Sequence, residues 1–172
     1  QSFFGGSTWT YDPNTKQAYF HVFAKEQPDL NWKNPAMREN IYQMIRWWLD
    51  FGIDGFRLDA ISHIQKEPWD FKITSNPWAP FMNVAGIETY MAELREIFRS
   101  YDIMTVGEAS GVNSKTAPFW TDEESGYIDM IFELEHQVRT GEPGSETGDR
   151  LGFKKVLSRW QKDMQLLGWN AL

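Results

Sequence analysis

The chain has no cysteine and only three histidines among its 172 residues. The missing cysteines exclude disulfide bridges and thiolate metal sites. No apolar stretch approaches the roughly 20 residues that a membrane-spanning helix needs, so we expect no membrane partner. The net charge is −7 and no Lys/Arg-rich segment is present, which makes nucleic acid a poor candidate as a partner.

Motifs that bind cofactors or activate a serine are missing as well. His21, His63 and His136 do not have the spacing of metal ligands, and no glycine-rich phosphate-binding loop is present. Ser62 and Ser110 lack the Gly-x-Ser-x-Gly setting of a serine hydrolase. We therefore expect neither a metal ion nor another cofactor.

Aromatic residues are the abundant class, at 16% of the chain, with 9 Trp, 12 Phe and 6 Tyr. Flat aromatic rings stack well on the C–H faces of sugars, but they also fill large hydrophobic cores. The core explains most of them better. Aromatic content alone therefore does not separate a carbohydrate enzyme from a well-packed barrel.

Helical and strand-like patterns alternate along the chain. Residues 1–34 predict a β-hairpin and loops, with turn chemistry at Asp12-Pro13-Asn14. Helices are predicted from Asn34-Pro35 to Gly52, from about Gly86 onwards and over 151–167, and strands over 53–59, 103–108 and from 128 to about 135. Strands that are separated by helices favour a parallel sheet and an α/β fold.

Apolar residues at helical spacing predict an apolar face on the first helix and the buried faces of the other two. These residues are Ile41, Met44, Ile45, Trp48 and Leu49 in the first helix, Ile87, Tyr90, Met91, Leu94, Ile97 and Phe98 in the second, and Phe153, Val156, Leu157, Trp160 and Met164 in the last.

Two carboxylates, Asp59 and Glu108, each end a predicted strand. The carboxyl ends of parallel strands line the active site of barrel-type α/β enzymes, which favours a chemical role for both. Two carboxylates facing one pocket suit glycoside hydrolysis, in which one protonates the leaving oxygen and the other attacks the sugar. Each also has a structural alternative, an ion pair for Asp59 and a solvated loop position for Glu108. At the end of the third strand, Glu135 and His136 are further candidates for substrate contact.

The neighbours of the two carboxylates fit a catalytic role. Side chains alternate along a strand, so Arg57 and Asp59 point to the same side, and a buried Arg57 would keep Asp59 ionised. Gly107 removes a side chain beside Glu108, where we expect another group, such as substrate, to approach closely. Apolar surroundings would favour the protonated, proton-donating form of Glu108.

Three motifs resemble those of one known family. Gly-Phe-Arg-Leu-Asp-Ala (55–60) and Val-Gly-Glu-Ala (106–109) resemble the second and third signature regions of the α-amylase superfamily, glycoside hydrolase family 13. Gln-Pro-Asp-Leu-Asn (27–31) resembles an extra motif of its oligo-1,6-glucosidase branch. The resemblance implies part of a (β/α)8 TIM barrel over residues 27–172, about strands 4 to 6 with their helices. Residues 1–26 would be the end of a small inserted domain.

The resemblance also implies roles for individual residues. Asp59 would be the nucleophile and Glu108 the general acid/base of a retaining, exo-acting, cytoplasmic α-glucosidase that acts on short gluco-oligosaccharides. Arg57 would orient the nucleophile and contact the sugar. Members that prefer α-1,6 bonds usually carry Val where this chain has Ala60, whereas smaller residues accompany α-1,4 activity. Ala60 therefore departs from the pattern of the branch that the other motifs resemble.

The family's first and fourth signature regions, the fourth with a third essential carboxylate, are not matched within these residues. We therefore expect the 172-residue chain alone to be inactive and to associate with itself through exposed barrel edges. Alternative functions are a transglycosylating or isomerising relative, such as a sucrose isomerase or trehalose synthase, and a non-catalytic transporter subunit of the family. Arg57, Asp59 and Glu108 together argue against the non-catalytic alternative.

Overall fold

The computed structural model describes residues 2–71, 76–135 and 150–167. Its strands are β1 (Trp9–Asp12), β2 (Gln17–Phe20), β3 (Gly55–Leu58), β4 (Met104–Gly107) and β5 (Met130–Ile131). Its helices are α1 (Pro35–Phe51), α2 (Ile87–Phe98), α3 (Pro118–Thr121) and α4 (Arg150–Leu167). In the described parts of the chain, no helix has the length and apolarity to cross a membrane.

The central sheet is parallel, with the strand order β3-β4-β5. Its register places Leu58 opposite Gly107, and Gly107 in turn opposite Ile131. The α/β prediction is therefore confirmed. The carboxyl ends of β3 and β4 lie side by side, which brings the residues that follow each strand to one edge of the sheet.

The third predicted strand is much shorter than expected, since β5 contains only Met130 and Ile131. The side chain of Asp129 explains where the strand begins. Its carboxylate accepts hydrogen bonds from the backbone N–H and the hydroxyl of Thr105, at 2.6 and 2.7 Å. The side chain of Asp129 thus occupies the position that a backbone partner would take, and ladder pairing starts one residue later.

Helix α1 has the predicted caps. The side chain of Asn34 accepts the N–H of Ala36 at 3.0 Å, and Gly52 ends the helix in the left-handed conformation. Its buried face is formed by Tyr42, Ile45 and Leu49. Met44 and Trp48, which belong to the predicted apolar face, are exposed. Each precedes a buried residue by one position, about 100° round the helix, and is turned out of the core.

Helices α2 and α4 pack on the same core as α1. All six residues of the predicted α2 face are buried. In α4, Val156 and Trp160 are buried as predicted, whereas Phe153 and Leu157 are exposed and their predicted burial is wrong. Residues four apart form one stripe, so only the stripe of Val156 and Trp160 reaches the core.

The hairpin β1–β2 is antiparallel, with Trp9 opposite Phe20. It packs against the long segment that follows β3 through a small core of Phe20, Val22 and Phe81. This contact holds the hairpin close to the segment that leaves the carboxyl end of β3.

Candidate active site

Asp59 and Glu108 follow directly after the parallel strands β3 and β4. The backbone N–H of Glu108 donates to the carbonyl oxygen of Leu58 at 2.9 Å. This hydrogen bond extends the pairing of the two strands to the level of the carboxylates. Neighbouring strands lie about 5 Å apart, so the two side chains start from adjacent points of the sheet edge.

Arg57 bridges the two carboxylates. Its Nη2 atom lies 2.5 Å from Glu108 Oε1 and 3.5 Å from Asp59 Oδ1. Because both distances start from one atom, these two carboxylate oxygens are no more than about 6 Å apart. The alternation of side chains in β3 correctly predicted that Arg57 and Asp59 share a face.

Arg57, Asp59 and Glu108, the Arg57 trio, lie in an open and charged environment. The side chains of Arg57, Asp59 and Glu108 are 51%, 70% and 29% exposed, so the prediction of a buried Arg57 is wrong. The closest partner of Arg57 is Glu108, and this hydrogen bond raises the pKa of the guanidinium. Glu108 thus faces a cation, so the apolar surroundings under which the sequence would favour a proton-donating Glu108 are not found.

Gly107 serves packing rather than the approach of a substrate. A Cβ atom at this position would lie 2.5 Å from Ile128 Cδ1 and 3.3 Å from Ile61 Cγ2. Both isoleucines belong to the hydrophobic core. The prediction of a close approach beside Glu108 is correct, but core side chains make it.

Ala60 turns the chain sharply after Asp59. Its φ and ψ angles are 44° and 36°, a left-handed conformation that is uncommon for residues other than glycine, asparagine and aspartate. A short 3-10 helix, Ile61–His63, begins directly after it, and all three of its residues are buried. The turn anchors the chain behind Asp59 while leaving the carboxylate itself at the surface.

Glu135 is held by helix α4. Its carboxylate accepts the indole N–H of Trp160 at 2.8 Å and forms an ion pair with Arg159. These contacts place it in the packing of α4, and the structure does not join it to the Arg57 trio. Its contact with substrate stays a prediction. His136 lies outside the described residues.

The sequence interpretation missed an ion pair between Asp29 and Lys66. Asp29 Oδ1 pairs with the Lys66 ammonium, while Oδ2 accepts the N–H of Val22 at 2.7 Å. Both side chains are largely buried. The pair joins the 27–31 motif to the segment that follows Asp59. The motif drew attention to Asp29, but the sequence gives no spacing rule that would have paired it with Lys66.

His63 is a second missed residue, buried four positions after Asp59. Its Nδ1 lies 2.8 Å from the carbonyl oxygen of Phe81, and because a carbonyl only accepts, Nδ1 carries the proton. Burial lowers the pKa of His63, which favours the neutral ring. Among the described residues, no group of His, Asp and Glu side chains has the arrangement of a metal site.

Comparison with known proteins gives a consistent family assignment. The chain matches the alpha amylase catalytic domain over residues 1–172. It is 46% identical over 181 residues to probable oligo-1,6-glucosidase 3 of Bacillus subtilis, with 100% of this chain covered. The match covers 32% of that relative, so the chain spans about a third of the length of the curated relatives that it matches.

Solved structures show the same relationship. Trehalose-6-phosphate hydrolase of Bacillus licheniformis superposes with a TM-score of 0.83 at 34% identity, over 100% of this chain and 32% of that one. Isomaltulose synthase of Klebsiella sp. LX3 gives a TM-score of 0.86 at 30% identity, over 99% and 32%. The described sheet and helices correspond to part of an α/β barrel of the kind found in these enzymes. With its parallel strands and the Arg57 trio at their carboxyl ends, the chain belongs to the alpha-amylase family.

Proposed function

We propose that this chain carries the nucleophile and the general acid/base of a retaining, exo-acting α-glucosidase about three times as long. The observation that carries the proposal is the short separation of the two carboxylates. Asp59 Oδ1 and Glu108 Oε1 both contact Arg57 Nη2 and are therefore at most about 6 Å apart. Retaining glycosidases hold their carboxyl groups about 5–5.5 Å apart, and inverting ones about 6.5–9.5 Å. A separation of at most about 6 Å therefore favours the retaining mechanism.

In the first step, a carboxylate oxygen of Asp59 attacks the anomeric carbon and the bond to the leaving oxygen breaks. Glu108 gives its proton to that oxygen, and a β-glucosyl ester forms on Asp59. In the second step, Glu108 takes a proton from water. The water oxygen bonds to the anomeric carbon, the ester bond breaks and α-glucose leaves.

The Arg57–Glu108 hydrogen bond belongs to the resting state in this mechanism. Arg57 occupies Glu108 Oε1 in this geometry, so that oxygen is not available to a leaving group. Substrate hydroxyls would take over the guanidinium donors and release Glu108 to face the leaving oxygen. Active-site hydrogen bonds commonly rearrange when substrate binds.

The names of the relatives support the substrate class. Oligo-1,6-glucosidases of Bacillus subtilis and Halalkalibacterium halodurans are 46% and 44% identical to this chain. An isomerising activity on sucrose is the second candidate, favoured by the structural likeness to isomaltulose synthase. Three further assignments remain parts of this proposal. They place β3, β4 and β5 at barrel strands 4 to 6, residues 1–26 in an inserted domain, and the protein in the cytoplasm.

The proposal is tested with the full-length protein and p-nitrophenyl α-glucoside, isomaltose and maltose as substrates. Asp59→Asn and Glu108→Gln should each lower kcat by at least about 10³-fold with the free sugars, because each removes a group used in the reaction. Asp54→Asn is the matched control, since Asp54 precedes β3 at its opposite end and is exposed. Its kcat should stay close to that of the unmodified protein.

Product analysis separates retention from inversion and hydrolysis from isomerisation. Proton NMR of the first-formed glucose should show the α-anomer. The β-anomer would rule out the retaining mechanism. If sucrose gives mainly an isomeric disaccharide rather than glucose and fructose, the second candidate replaces the first.

A further inference from the structure

A cavity of about 460 Å³ lies between the hairpin, the 29–33 segment and the segment after the 3-10 helix. Aromatic rings form much of its wall, including Trp9, Phe20 and Trp69. In the part of the chain that the structure describes, none of Arg57, Asp59 and Glu108 lines it. It is therefore a site apart from the catalytic carboxylates.

Two of these rings are exposed to solvent and contact each other. Trp9 and Trp69 are 45% and 57% exposed, and their ring centroids lie 5.1 Å apart with the planes at 67°. Trp69 also packs on the buried Phe20, at 4.8 Å between centroids. Exposed indole surface that is held rigid by neighbouring rings is typical of a binding site.

The polar part of the lining has both hydrogen-bonding capacity and balanced charge. Asn31 and Gln65 are among the polar lining residues. Asp29 and Glu67 are matched by Lys33 and Lys66, two charges of each sign. A site without excess charge suits a neutral ligand that offers hydroxyl groups.

The floor of the cavity is preorganised. The Asp29–Lys66 ion pair is mostly buried, and the Asp29 carboxylate also accepts the N–H of Val22. The Gln65 amide donates to the carbonyl oxygen of Ala85 at 3.3 Å. Groups that are already in place lose little conformational freedom when a ligand binds.

We infer that this cavity is a second carbohydrate-binding site, which takes a short α-gluco-oligosaccharide with one sugar face stacked on Trp69. The choice of sugar rests on the proposed function, whereas the aromatic wall and the balanced charge of the cavity favour an uncharged ligand with an apolar face. Pyranose rings combine apolar C–H faces with a rim of hydroxyl groups, and the Trp9–Trp69 wall with its amide and charged neighbours offers partners for both.

The inference is tested by calorimetric titration of the full-length Glu108→Gln protein with isomaltotriose and with maltotriose. Two sites per chain are expected for at least one of the sugars. Trp69→Ala should weaken one of them by about tenfold or more and leave the other unchanged, because one stacking face is lost. Trp69→Phe, which keeps a smaller ring, should weaken it less.

Tyr11→Ala is the matched control, since Tyr11 lies on the same strand as Trp9, is exposed to a similar extent as Trp69, 62%, and does not line the cavity. It should retain both sites. A single site, or two sites that Trp69→Ala and Trp69→Phe leave unchanged, would overturn the inference. A third outcome would also overturn the inference. If the unmodified protein is a dimer without a second sugar site and Trp69→Ala dissociates it, the cavity is an interface between copies.

Failure of the proposed function can be told apart from failure of the second site. If the proposed function is wrong, the unmodified protein does not hydrolyse α-glucosides, a result that does not depend on Trp69. Sugar binding that depends on Trp69 would persist in that case, and loss of that binding would leave hydrolysis of p-nitrophenyl α-glucoside intact. The two readouts therefore fail independently.

Discussion

At the scale of single residues, the charge of Arg57 is shared between two acids. Its Nη2 is 1.0 Å closer to Glu108 than to Asp59, at 2.5 against 3.5 Å. The guanidinium therefore offsets the repulsion between two neighbouring carboxylates.

Ala60 gives a prediction about both stability and linkage preference. At a φ of 44°, Ala60→Gly should raise the free energy of unfolding by about 1 kcal/mol, because glycine has no Cβ clash there. Ala60→Val should lower it by a similar amount, since β-branched residues are strained in this region. In the full-length enzyme, Ala60→Val should also raise the ratio of kcat/KM for isomaltose to that for maltose. Urea unfolding and steady-state kinetics measure both effects.

The glycine variant serves as the control for linkage. Ala60→Gly relieves the backbone without adding bulk beside Asp59, so the ratio of the two substrates should not move towards isomaltose. An unchanged ratio in Ala60→Val would remove the link between this position and the choice of glucosidic bond.

His63 predicts how stability depends on pH. Burial lowers its pKa in the folded protein, so the unfolded chain, with a pKa of about 6.5, takes up the proton first as the pH falls. The stabilisation from neutral His63 is complete above about pH 6.5 and is lost as the pH falls through the folded-state pKa. Urea unfolding between neutral and mildly acid pH should show a steeper decline for the unmodified protein than for His63→Gln. Parallel profiles would contradict this account of His63.

At the scale of elements, two glycines allow close packing, Gly107 against the core and Gly55 against the neighbouring strand. A Cβ at Gly107 would press on the tip of Ile128, at 2.5 Å from Cδ1. A Cβ at Gly55 would lie 1.8 Å from the backbone oxygen of Met104, its partner in β4. The first conflict is with a side chain and the second with the strand itself.

Gly107→Ala should therefore destabilise the protein by about 1–3 kcal/mol, and Ile128→Val should recover part of that loss by removing the Cδ1 methyl group. Gly55→Ala should cost more and should not respond to Ile128→Val, since its conflict is with the backbone. Urea unfolding of the single and double variants measures both. Strict additivity of Gly107→Ala and Ile128→Val would show that the packing argument is mistaken.

The order of the elements and the caps of α1 could be predicted, because both depend on residues that are close together in the sequence. The faces of α1 and α4 were only partly predictable. Met44, Trp48, Phe153 and Leu157 are apolar but exposed, and the sequence alone does not tell which of two adjacent stripes meets the sheet. The Arg57–Glu108 contact was not predicted either, because it depends on the register between β3 and β4.

At the scale of the whole molecule, helix α1 presents a stripe of exposed apolar side chains. The stripe consists of Met44, Trp47, Trp48 and Phe51, at the spacing of neighbouring helix turns. Trp47 and Phe51 stack at 5.7 Å between ring centroids. A contiguous exposed surface of this kind favours association, either with other parts of a longer chain or between copies.

The 172-residue chain alone should therefore form oligomers at micromolar concentration, as judged by sedimentation velocity. Phe51→Lys should shift it towards the monomer, since it places a charge at the C-terminal end of the apolar stripe and removes the ring that stacks on Trp47. Phe153→Lys on α4 is the matched control for an exposed phenylalanine and should have a smaller effect. A monomer in all three preparations would contradict the prediction.

The proposed nucleophile is tested most directly by trapping the proposed covalent intermediate in the full-length protein. A fluorinated glucosyl substrate that slows the second step should leave a sugar mass on the peptide containing Asp59, seen by mass spectrometry after proteolysis. Asp59→Asn should abolish that adduct, and Asp54→Asn should retain it. An adduct on another residue, or turnover that inverts the anomeric configuration without any adduct, would contradict the assignment of Asp59 as the nucleophile.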